Sequence, residues 1–217
     1  MADLKLYSYY RSSCSYRVRI GLHLKGLSFE YIPVHLLNRG GEQHLASYRS
    51  LNPRREVPTL IHGEFHLSQS MAILEYLDAI CPKPRLFPVD HRQRSRVLQF
   101  CEMINSGIQP IQNLSVLQEL QDRFKADQRD IQSWCAAWIV RGFEGMEKML
   151  ESTAGTHCFS GELTAADLFL IPQVYNAKRF KVNMAKFPII KRVYNRAMDM
   201  EAFQLADPSR QIDAPRA

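Results

Sequence analysis

Hydrophobic positions near the beginning of the chain follow the two-residue period of β-strands. The alternation is clearest in Leu4–Tyr9, and strand-like stretches recur at Phe29–Val34 and Val57–Ile61, the last continuing into a short hairpin. A polar stretch that contains Gly40–Gly41 separates the second stretch from the third. The pattern therefore predicts a sheet in the first third of the chain.

The segment Val18–Leu24 alternates as well, so its period alone permits either a strand or a helix. The residues around it decide between the two. Ser12, Ser13 and Ser15 precede it as N-cap side chains, and Gly26 follows it at the place of a C-cap. The segment is therefore predicted to be the first helix.

A further helix is predicted after Ser68–Ser70, where apolar residues recur at helical spacing. The run Cys81–Pro88 follows and contains three prolines, which neither a helix nor a central strand accommodates. Beyond this run the apolar residues keep helical spacing, as at Trp134 and Trp138, and strand signals are absent. The predicted domains are therefore an α/β domain at 1–83, a linker at 84–88 and an all-α domain at 89–217.

Three local features refine the predicted helical part. Pro110 is expected to interrupt one of its helices and to bend it. Thr164–Asp167 has the form of a capping box, with aspartate in place of glutamate, at the start of an apolar helix. The polar C-terminal segment from Pro208 is expected to pack loosely.

Composition places the chain among ordinary globular proteins, because 46% of its 217 residues are hydrophobic and 23% are charged. No apolar run approaches the ~20 residues that span a bilayer, and the first residues do not form a secretory signal. The five cysteines are odd in number and scattered, which favours free thiols in a reducing cytoplasm. The net charge of +6 is spread along the chain, so small acidic ligands, or a role in solubility alone, are expected rather than binding to nucleic acid or a membrane.

Candidate chemistry is concentrated at the start of the first predicted helix. A helix N-terminus with hydroxyl and backbone donors stabilises a thiolate, and Ser12, Ser13 and Cys14 lie at such a place. Considered alone, these residues could equally serve only to cap the helix.

The segment Ser12–Ile20 resembles the signature of the zeta class of glutathione transferases. The resemblance extends over nearly the whole chain through further segments: Asn52–Pro53 with Val57–Pro58, Gln69–Ser70, Gln109–Pro110 with Asn113–Ser115, and Pro172–Val174 with Arg179–Val182. It implies the glutathione transferase fold, with a thioredoxin-like α/β N-terminal domain, an all-α C-terminal domain and an active site in the cleft between them. It also implies glutathione as cofactor and a homodimeric protein.

The resemblance further implies roles for individual residues. Ser12 is expected to hydrogen-bond the glutathione sulfur, and Ser13 and Cys14 are expected to lie beside the substrate as further catalytic residues that also contact glutathione. Additional implied contacts of glutathione are Arg17, Gln43, Val57, Pro58 with a cis peptide bond, Gln69, Ser70, Gln109, Asn113 and Ser115. Arg11 and Arg179 are implied to bind the carboxylates of an acidic substrate, which a guanidinium does with two parallel hydrogen bonds.

The implied reaction is the cis-trans isomerisation of maleylacetoacetate to fumarylacetoacetate, together with glutathione transferase activity. The glutathione thiolate adds to the double bond, the resulting single bond rotates, and elimination regenerates glutathione. Isomerisation of maleylpyruvate, thiol reduction through Cys14 and a catalytically silent binding protein are the alternatives. Arg17 stands where a C-x-x-C pair has its second cysteine, which disfavours dithiol exchange, and the intact Ser12–Cys14 motif argues against a silent protein.

Two remaining features carry less weight. His62 and His66 are four residues apart on a predicted hairpin with no third ligand nearby in sequence, so no metal site is predicted. The charged stretch Arg54–Glu56 departs from the usual pattern of the class and is expected to influence substrate preference.

Overall fold

A computed structural model describes residues 3–159 and 161–215, and the chain divides into two compact units. The first unit extends to Leu86 and also includes the segment from Met198 onward, whereas the second unit is Phe87–Ala197. The sequence had not indicated that the C-terminal segment is grouped with the first unit. The domain boundaries at 1–83, 84–88 and 89–217 stay a prediction.

A mixed sheet forms the centre of the first unit. Its strands are β1 (Leu4–Ser8), β2 (Glu30–Pro33), β3 (Thr59–His62) and β4 (Phe65–Ser68), in the order β2-β1-β3-β4. β1 is parallel to β2 and antiparallel to β3, and β3 is antiparallel to β4. The strands predicted from alternation are confirmed, although β3 begins only after the Val57–Pro58 peptide bond, which is cis.

Helices cover both faces of this sheet: α1 (Ser13–Leu24), α2 (Ala46–Leu51) and α3 (Ser70–Ile80). Leu4 and Leu6 pack in one apolar cluster with Val18 of α1 and Ile73 of α3. Tyr7 points to the opposite face, where its ring lies 5.8 Å from that of Tyr48 in α2. The two-residue period of β1 thus separates two apolar layers.

A buried ion pair fastens the end of α1 to α3. Lys25 Nζ lies 2.9 Å from Asp78 Oδ1 and also donates to the carbonyl oxygens of Cys81 and Pro84, at 2.6 and 3.0 Å. Asp78 Oδ1 in turn accepts from the backbone N–H of Leu86 at 2.8 Å. These hydrogen bonds hold the proline-rich run in place at Cys81, Pro84 and Leu86.

Residues 208–215 make defined contacts, so the prediction of loose packing from Pro208 is wrong for them, while Arg216 and Ala217 lie outside the described residues. Helix α9 (Glu201–Ala206) packs on α1, and Pro208 is buried at the start of a short 3-10 helix, Pro208–Arg210. Asp213 accepts hydrogen bonds from Tyr10 and Tyr31. The polar composition of this segment could not reveal these partners, because they lie far away in sequence.

The second unit is helical, with α4 (His91–Asn105), α5 (Leu114–Phe124), α6 (Gln128–Thr153), α7 (Ala165–Arg179) and most of α8 (Pro188–Met198). α7 is almost entirely buried and packs against α4. The capping box predicted at its start is confirmed, because Asp167 Oδ2 accepts from the backbone N–H of Thr164 at 2.9 Å. Within the described residues, no helix is both long enough and apolar enough to span a membrane.

Pro110 does not bend a helix as predicted. α4 ends at Asn105, and Pro110 begins a separate 3-10 helix, Pro110–Gln112, where its missing N–H costs nothing. Gly107 lies in the connection, and a Cβ at this residue would lie 2.6 Å from the carbonyl oxygen of Met103. The chain therefore leaves α4 through a close backbone contact that glycine permits.

Candidate active site

The start of α1 presents a hydroxyl with an available proton. Ser12 is the N-cap residue, and its Oγ accepts a hydrogen bond from the backbone N–H of Ser15 at 3.2 Å. A hydroxyl that accepts in this way still has its own O–H to donate. Ser13 is buried and Cys14 is half-buried in the first turn, which contains no acidic residue. This helix start therefore suits an anion such as a thiolate.

The start of α3 is a second place for an anion. Gln69 is its N-cap residue and has a positive φ of 73°, but no side chain caps the helix. The first backbone N–H groups of α3 therefore have no capping side chain as acceptor, and the helix dipole adds to their attraction for a carboxylate. The sequence-based placement of Gln69 and Ser70 at this helix start is confirmed.

Arg17 connects the two helix starts. Its side chain is fully buried, and its Nη1 donates to Ser70 Oγ at 3.1 Å. A buried guanidinium beside an uncapped helix N-terminus increases the positive potential there. The fold thus brings Arg17 of α1 and Ser70 of α3 together, although they are 53 residues apart in sequence.

The segment before β3 is fixed by a polar network that the sequence did not reveal. The carbonyl oxygen of Glu56 accepts from Tyr48 Oη at 2.6 Å and from Asn52 Nδ2 at 2.8 Å, and both side chains also contact Thr59 Oγ1. Burial raises the pKa of Tyr48 to about 12, so its phenol remains protonated and can donate. Val57 and its cis peptide bond to Pro58 follow directly. Asn52 was singled out in the sequence, but Tyr48 gave no signal there.

Gln43 is the remaining predicted glutathione contact in the first unit. It is buried, and its Nε2 donates to the carbonyl oxygen of Leu36 at 3.2 Å. Gly41 has a φ of 100° and lies so close that any Cβ there would collide with the Gln43 side chain. The Gln43 side chain is therefore fixed by this hydrogen bond and by burial, and it does not extend into solvent.

Glu56 adds a carboxylate close to α3. Its Oε2 accepts from Gln69 Nε2 at 3.3 Å, and its Oε1 pairs with Arg54 Nη2 at 3.1 Å. Two of the three residues in the unusual Arg54–Glu56 stretch thus form an exposed ion pair, and the carboxylate in it contacts Gln69.

Arg11 lies in the loop between β1 and α1, whereas the other predicted contacts lie in the second unit. Gln109 precedes the 3-10 helix, Asn113 is the N-cap residue of α5, and Ser115 is exposed in the first turn of α5. Arg179 ends α7, is exposed and stacks on the Phe180 ring at 4.6 Å. Each of these side chains is near a helix end, and neither Gln109 nor Asn113 makes a capping hydrogen bond through its side chain.

Polar and aromatic contacts fasten the 3-10 helix of the second unit on two sides. Gln112 Nε2 donates to Gln173 Oε1 of α7 at 2.7 Å, and Trp134 Nε1 of α6 donates to the carbonyl oxygen of Ile111 at 3.0 Å. Both amides are buried. The turn between Gln109 and Asn113 is therefore firmly positioned, a feature that the sequence did not indicate.

The two histidines of the hairpin lie on different strands, His62 in β3 and His66 in β4. The His62 ring nitrogen Nδ1 lies 2.7 Å from Tyr76 Oη, so this histidine has a hydrogen-bond partner in α3. In the range that the structure describes, no group of three or more histidine, cysteine, aspartate or glutamate residues is arranged to hold a metal ion.

Comparison with known proteins agrees with the fold. Residues 2–79 match the family model "Glutathione S-transferase, N-terminal domain". The maleylacetoacetate isomerase of Rattus norvegicus is 45% identical over 210 residues, which cover 97% of this chain and 94% of that protein. The chain belongs to the glutathione S-transferase family, in the zeta class that includes maleylacetoacetate isomerases.

Two solved structures extend the comparison. A bacterial maleyl pyruvate isomerase of the zeta class superposes with a TM-score of 0.94 at 38% identity and covers 97% of this chain and 100% of its own. A maleylacetoacetate isomerase of Anaeromyxobacter dehalogenans, with bound dicarboxyethyl glutathione and citrate, has a TM-score of 0.87 at 41% identity, covering 98% and 94% of the respective chains. Both confirm the expected fold class of a thioredoxin-like domain followed by a mostly helical part.

Proposed function

We propose that this protein catalyses the glutathione-dependent cis-trans isomerisation of maleylacetoacetate to fumarylacetoacetate and also has glutathione transferase activity. The observation that carries the proposal is the pair of helix starts connected by buried Arg17, one with the Ser12 hydroxyl and one without a capping side chain. The similarity to maleylacetoacetate isomerase over almost the whole chain supports the choice of reaction.

The residues of the first unit fit glutathione. Glutathione has carboxylates at its two ends and a thiol in the middle, and this unit offers a helix start for a carboxylate and another for a thiolate. In this proposal Gln69, Ser70 and Arg17 hold the γ-glutamyl end, the backbone of Val57 before Pro58 pairs with the cysteinyl part, and Gln43 adds a further contact. When bound, glutathione supplies a thiolate that is both a nucleophile and a good leaving group.

Side chains of the protein then stabilise the negative charges on the glutathione sulfur and on the substrate. Ser12 donates its O–H to the sulfur and thereby lowers the thiol pKa, while Ser13 and Cys14 line the same helix start. Arg11 and Arg179 bind substrate carboxylates, and their positive charge also stabilises the negative charge that develops on the substrate. Gln109, Asn113 and Ser115 contribute polar contacts from the second unit.

Maleylpyruvate is the second candidate substrate, because a zeta-class maleyl pyruvate isomerase has almost the same fold. Both substrates are maleyl acids, so the same two arginines would serve. Relative kcat/KM values for the two substrates would decide which one the protein prefers.

Location and assembly complete the proposal. The five cysteines are all free, which supports a reducing compartment such as the cytoplasm. Membership of the family supports a homodimer whose partners are small acids and glutathione rather than nucleic acid or membranes. Sedimentation equilibrium would measure the mass of the assembly, and a monomeric mass would contradict the homodimer.

The decisive experiment measures maleylacetoacetate isomerisation with and without glutathione, in the wild-type protein and in Ser12→Ala and Cys14→Ala. We expect activity only with glutathione, a loss of about tenfold or more in Ser12→Ala from one hydrogen bond to a charged group, and substantial activity in Cys14→Ala. A thiol reductase using Cys14 would show the opposite order on a glutathione mixed disulfide. Wild-type protein that isomerises neither maleyl substrate would contradict the proposal.

A further inference from the structure

The loop between β1 and α1 carries two residues of the proposed site and is held by residues far away in sequence. This loop, Tyr9–Ser12, contains Arg11 and Ser12. Its own backbone supplies one internal hydrogen bond, from the N–H of Ser12 to the carbonyl oxygen of Tyr9 at 3.0 Å. Further polar contacts to the loop come from α1 and from the C-terminal segment.

Arg19 holds the carbonyl side of the loop. Its guanidinium is fully buried and donates to the carbonyl oxygens of Tyr9 and Tyr10, at 3.4 and 2.9 Å. The same group donates through Nε to the carbonyl oxygen of Ala206 at 3.0 Å, at the end of α9. One buried cation thus connects the loop to the C-terminal segment.

Asp213 holds the loop at a backbone N–H group. Its Oδ2 accepts from the backbone N–H of Tyr10 at 2.9 Å, and its Oδ1 accepts from Tyr31 Oη at 2.7 Å. Burial raises the pKa of Tyr31, so the phenol stays protonated and donates a hydrogen bond to the Asp213 carboxylate. Tyr10 is therefore fixed at its N–H by Asp213 and at its C=O by Arg19.

We propose that Asp213 is a positioning residue for the active site, which acts through the Tyr10 backbone to hold Ser12 and Arg11 in place. The proposal rests on the proposed function for the role of Ser12. A hydroxyl that stabilises a thiolate must be held within a few tenths of an ångström, and a loop in which both backbone polar groups of one residue are hydrogen-bonded is held in this way. Tyr10 is two residues before Ser12, so movement of its backbone moves the hydroxyl.

The test compares Asp213→Ala with Glu201→Ala, which removes the same charge from an exposed residue of the same C-terminal segment. Asp213→Asn keeps one carbonyl acceptor and serves as the conservative variant. In each protein, amide hydrogen exchange of Tyr10–Ser12, the affinity for glutathione, the pKa of the bound glutathione thiol and the isomerase kcat and KM are measured. Urea unfolding shows whether each variant is folded under the assay conditions.

In Asp213→Ala we expect exchange of the loop amides to increase and kcat to fall by about tenfold or more, as for loss of a hydrogen bond to a charged group. The pKa of the bound thiol is expected to rise. Glutathione affinity should change by less than about threefold, since a group that acts on the reacting sulfur chiefly affects kcat. Asp213→Asn should lie between Asp213→Ala and the wild type.

Three results would overturn the role of Asp213: loop exchange equal to that of Glu201→Ala, faster exchange with unchanged kcat and thiol pKa, or losses in glutathione affinity as large as those in kcat. Failure of the proposed function looks different. A wild-type protein that binds glutathione without isomerising maleyl substrates contradicts that function, while loop exchange and the thiol pKa still decide whether Asp213 positions the site.

Discussion

Two buried arginines show why the sequence of α1 lacks the amphipathic pattern of a surface helix. Arg17 and Arg19 are both fully buried, and residues two apart on a helix point to nearly opposite sides. Arg17 therefore reaches Ser70 of α3, while Arg19 reaches Ala206 at the end of α9. Because α1 is buried on both sides, the usual division into an apolar and a polar face is missing, and only its caps identified it as a helix.

Thiol reactivity is predicted to separate the five cysteines into two groups. Cys14 and Cys81 are half-buried, whereas Cys101, Cys135 and Cys158 are buried. Burial raises the pKa of Cys135 to about 11 and that of Cys158 well above its ordinary value, so these thiols should not ionise in the folded protein. A colorimetric thiol reagent should therefore modify two cysteines in the native protein and all five in denaturant.

Mass spectrometry of the labelled peptides assigns the reacting residues. Cys14→Ser should reduce the rapid phase by one equivalent, and Cys135→Ser should leave it unchanged. Rapid modification of Cys101 or Cys158 in the folded protein would contradict the burial of these thiols.

At the scale of elements, the 3-10 helix Pro110–Gln112 depends on α7 for its position. One hydrogen bond joins the side-chain amides of Gln112 and Gln173. Within the described residues, the other amide atoms, Gln112 Oε1 and Gln173 Nε2, have no hydrogen-bond partner. Buried polar groups are stabilising only when they are paired, so each amide depends on the other.

Gln173→Ala is therefore predicted to lower the free energy of unfolding by about 1–3 kcal/mol, because it leaves the buried amide of Gln112 without its partner. The double variant Gln112→Leu/Gln173→Leu should lose less than the sum of the single leucine variants, since no lone amide remains. Urea unfolding measures all of these values. Gln118 is exposed on α5, and Gln118→Ala as control should change the value by at most about 0.5 kcal/mol. Additive losses in the double variant would show that the two amides do not interact.

At the scale of the whole molecule, the C-terminal segment belongs with the first unit. Phe203 of α9 is fully buried, and its carbonyl oxygen accepts from Tyr16 Oη of α1 at 3.5 Å. This contact spans 187 residues of sequence. The first unit therefore folds completely only when the end of the chain is available.

Phe203→Ala is predicted to lower the free energy of unfolding by about 3–5 kcal/mol, the range for removal of a buried phenylalanine side chain. Amide exchange should increase most in α1, which packs on α9. Phe124→Ala is the matched control, because Phe124 is 75% exposed and its loss should have little effect. Equal destabilisation by the two substitutions, or increased exchange confined to the second unit, would contradict the grouping of α9 with α1.

The sequence by itself determined the features that depend on neighbouring residues. Alternation in Leu4–Tyr9 located β1, serines around Ser12 located the start of α1, and Thr164 with Asp167 located the start of α7. The resemblance added the class and its fold, which the comparisons confirm. Local patterns succeed here because strand periods and helix caps involve residues within about four positions of each other.

Only the tertiary structure decided which of these elements meet. It placed Arg17 on Ser70, connected Gln112 with Gln173 across 61 residues, and brought Asp213 to the Tyr10 backbone across 203 residues. No local pattern predicts such pairs, because a buried charge or amide is stabilised by whatever partner packing supplies, wherever that partner lies in sequence. For this reason the sequence identified the hydroxyl and the helix starts of the site, while the groups that hold them in place became apparent only in the folded chain.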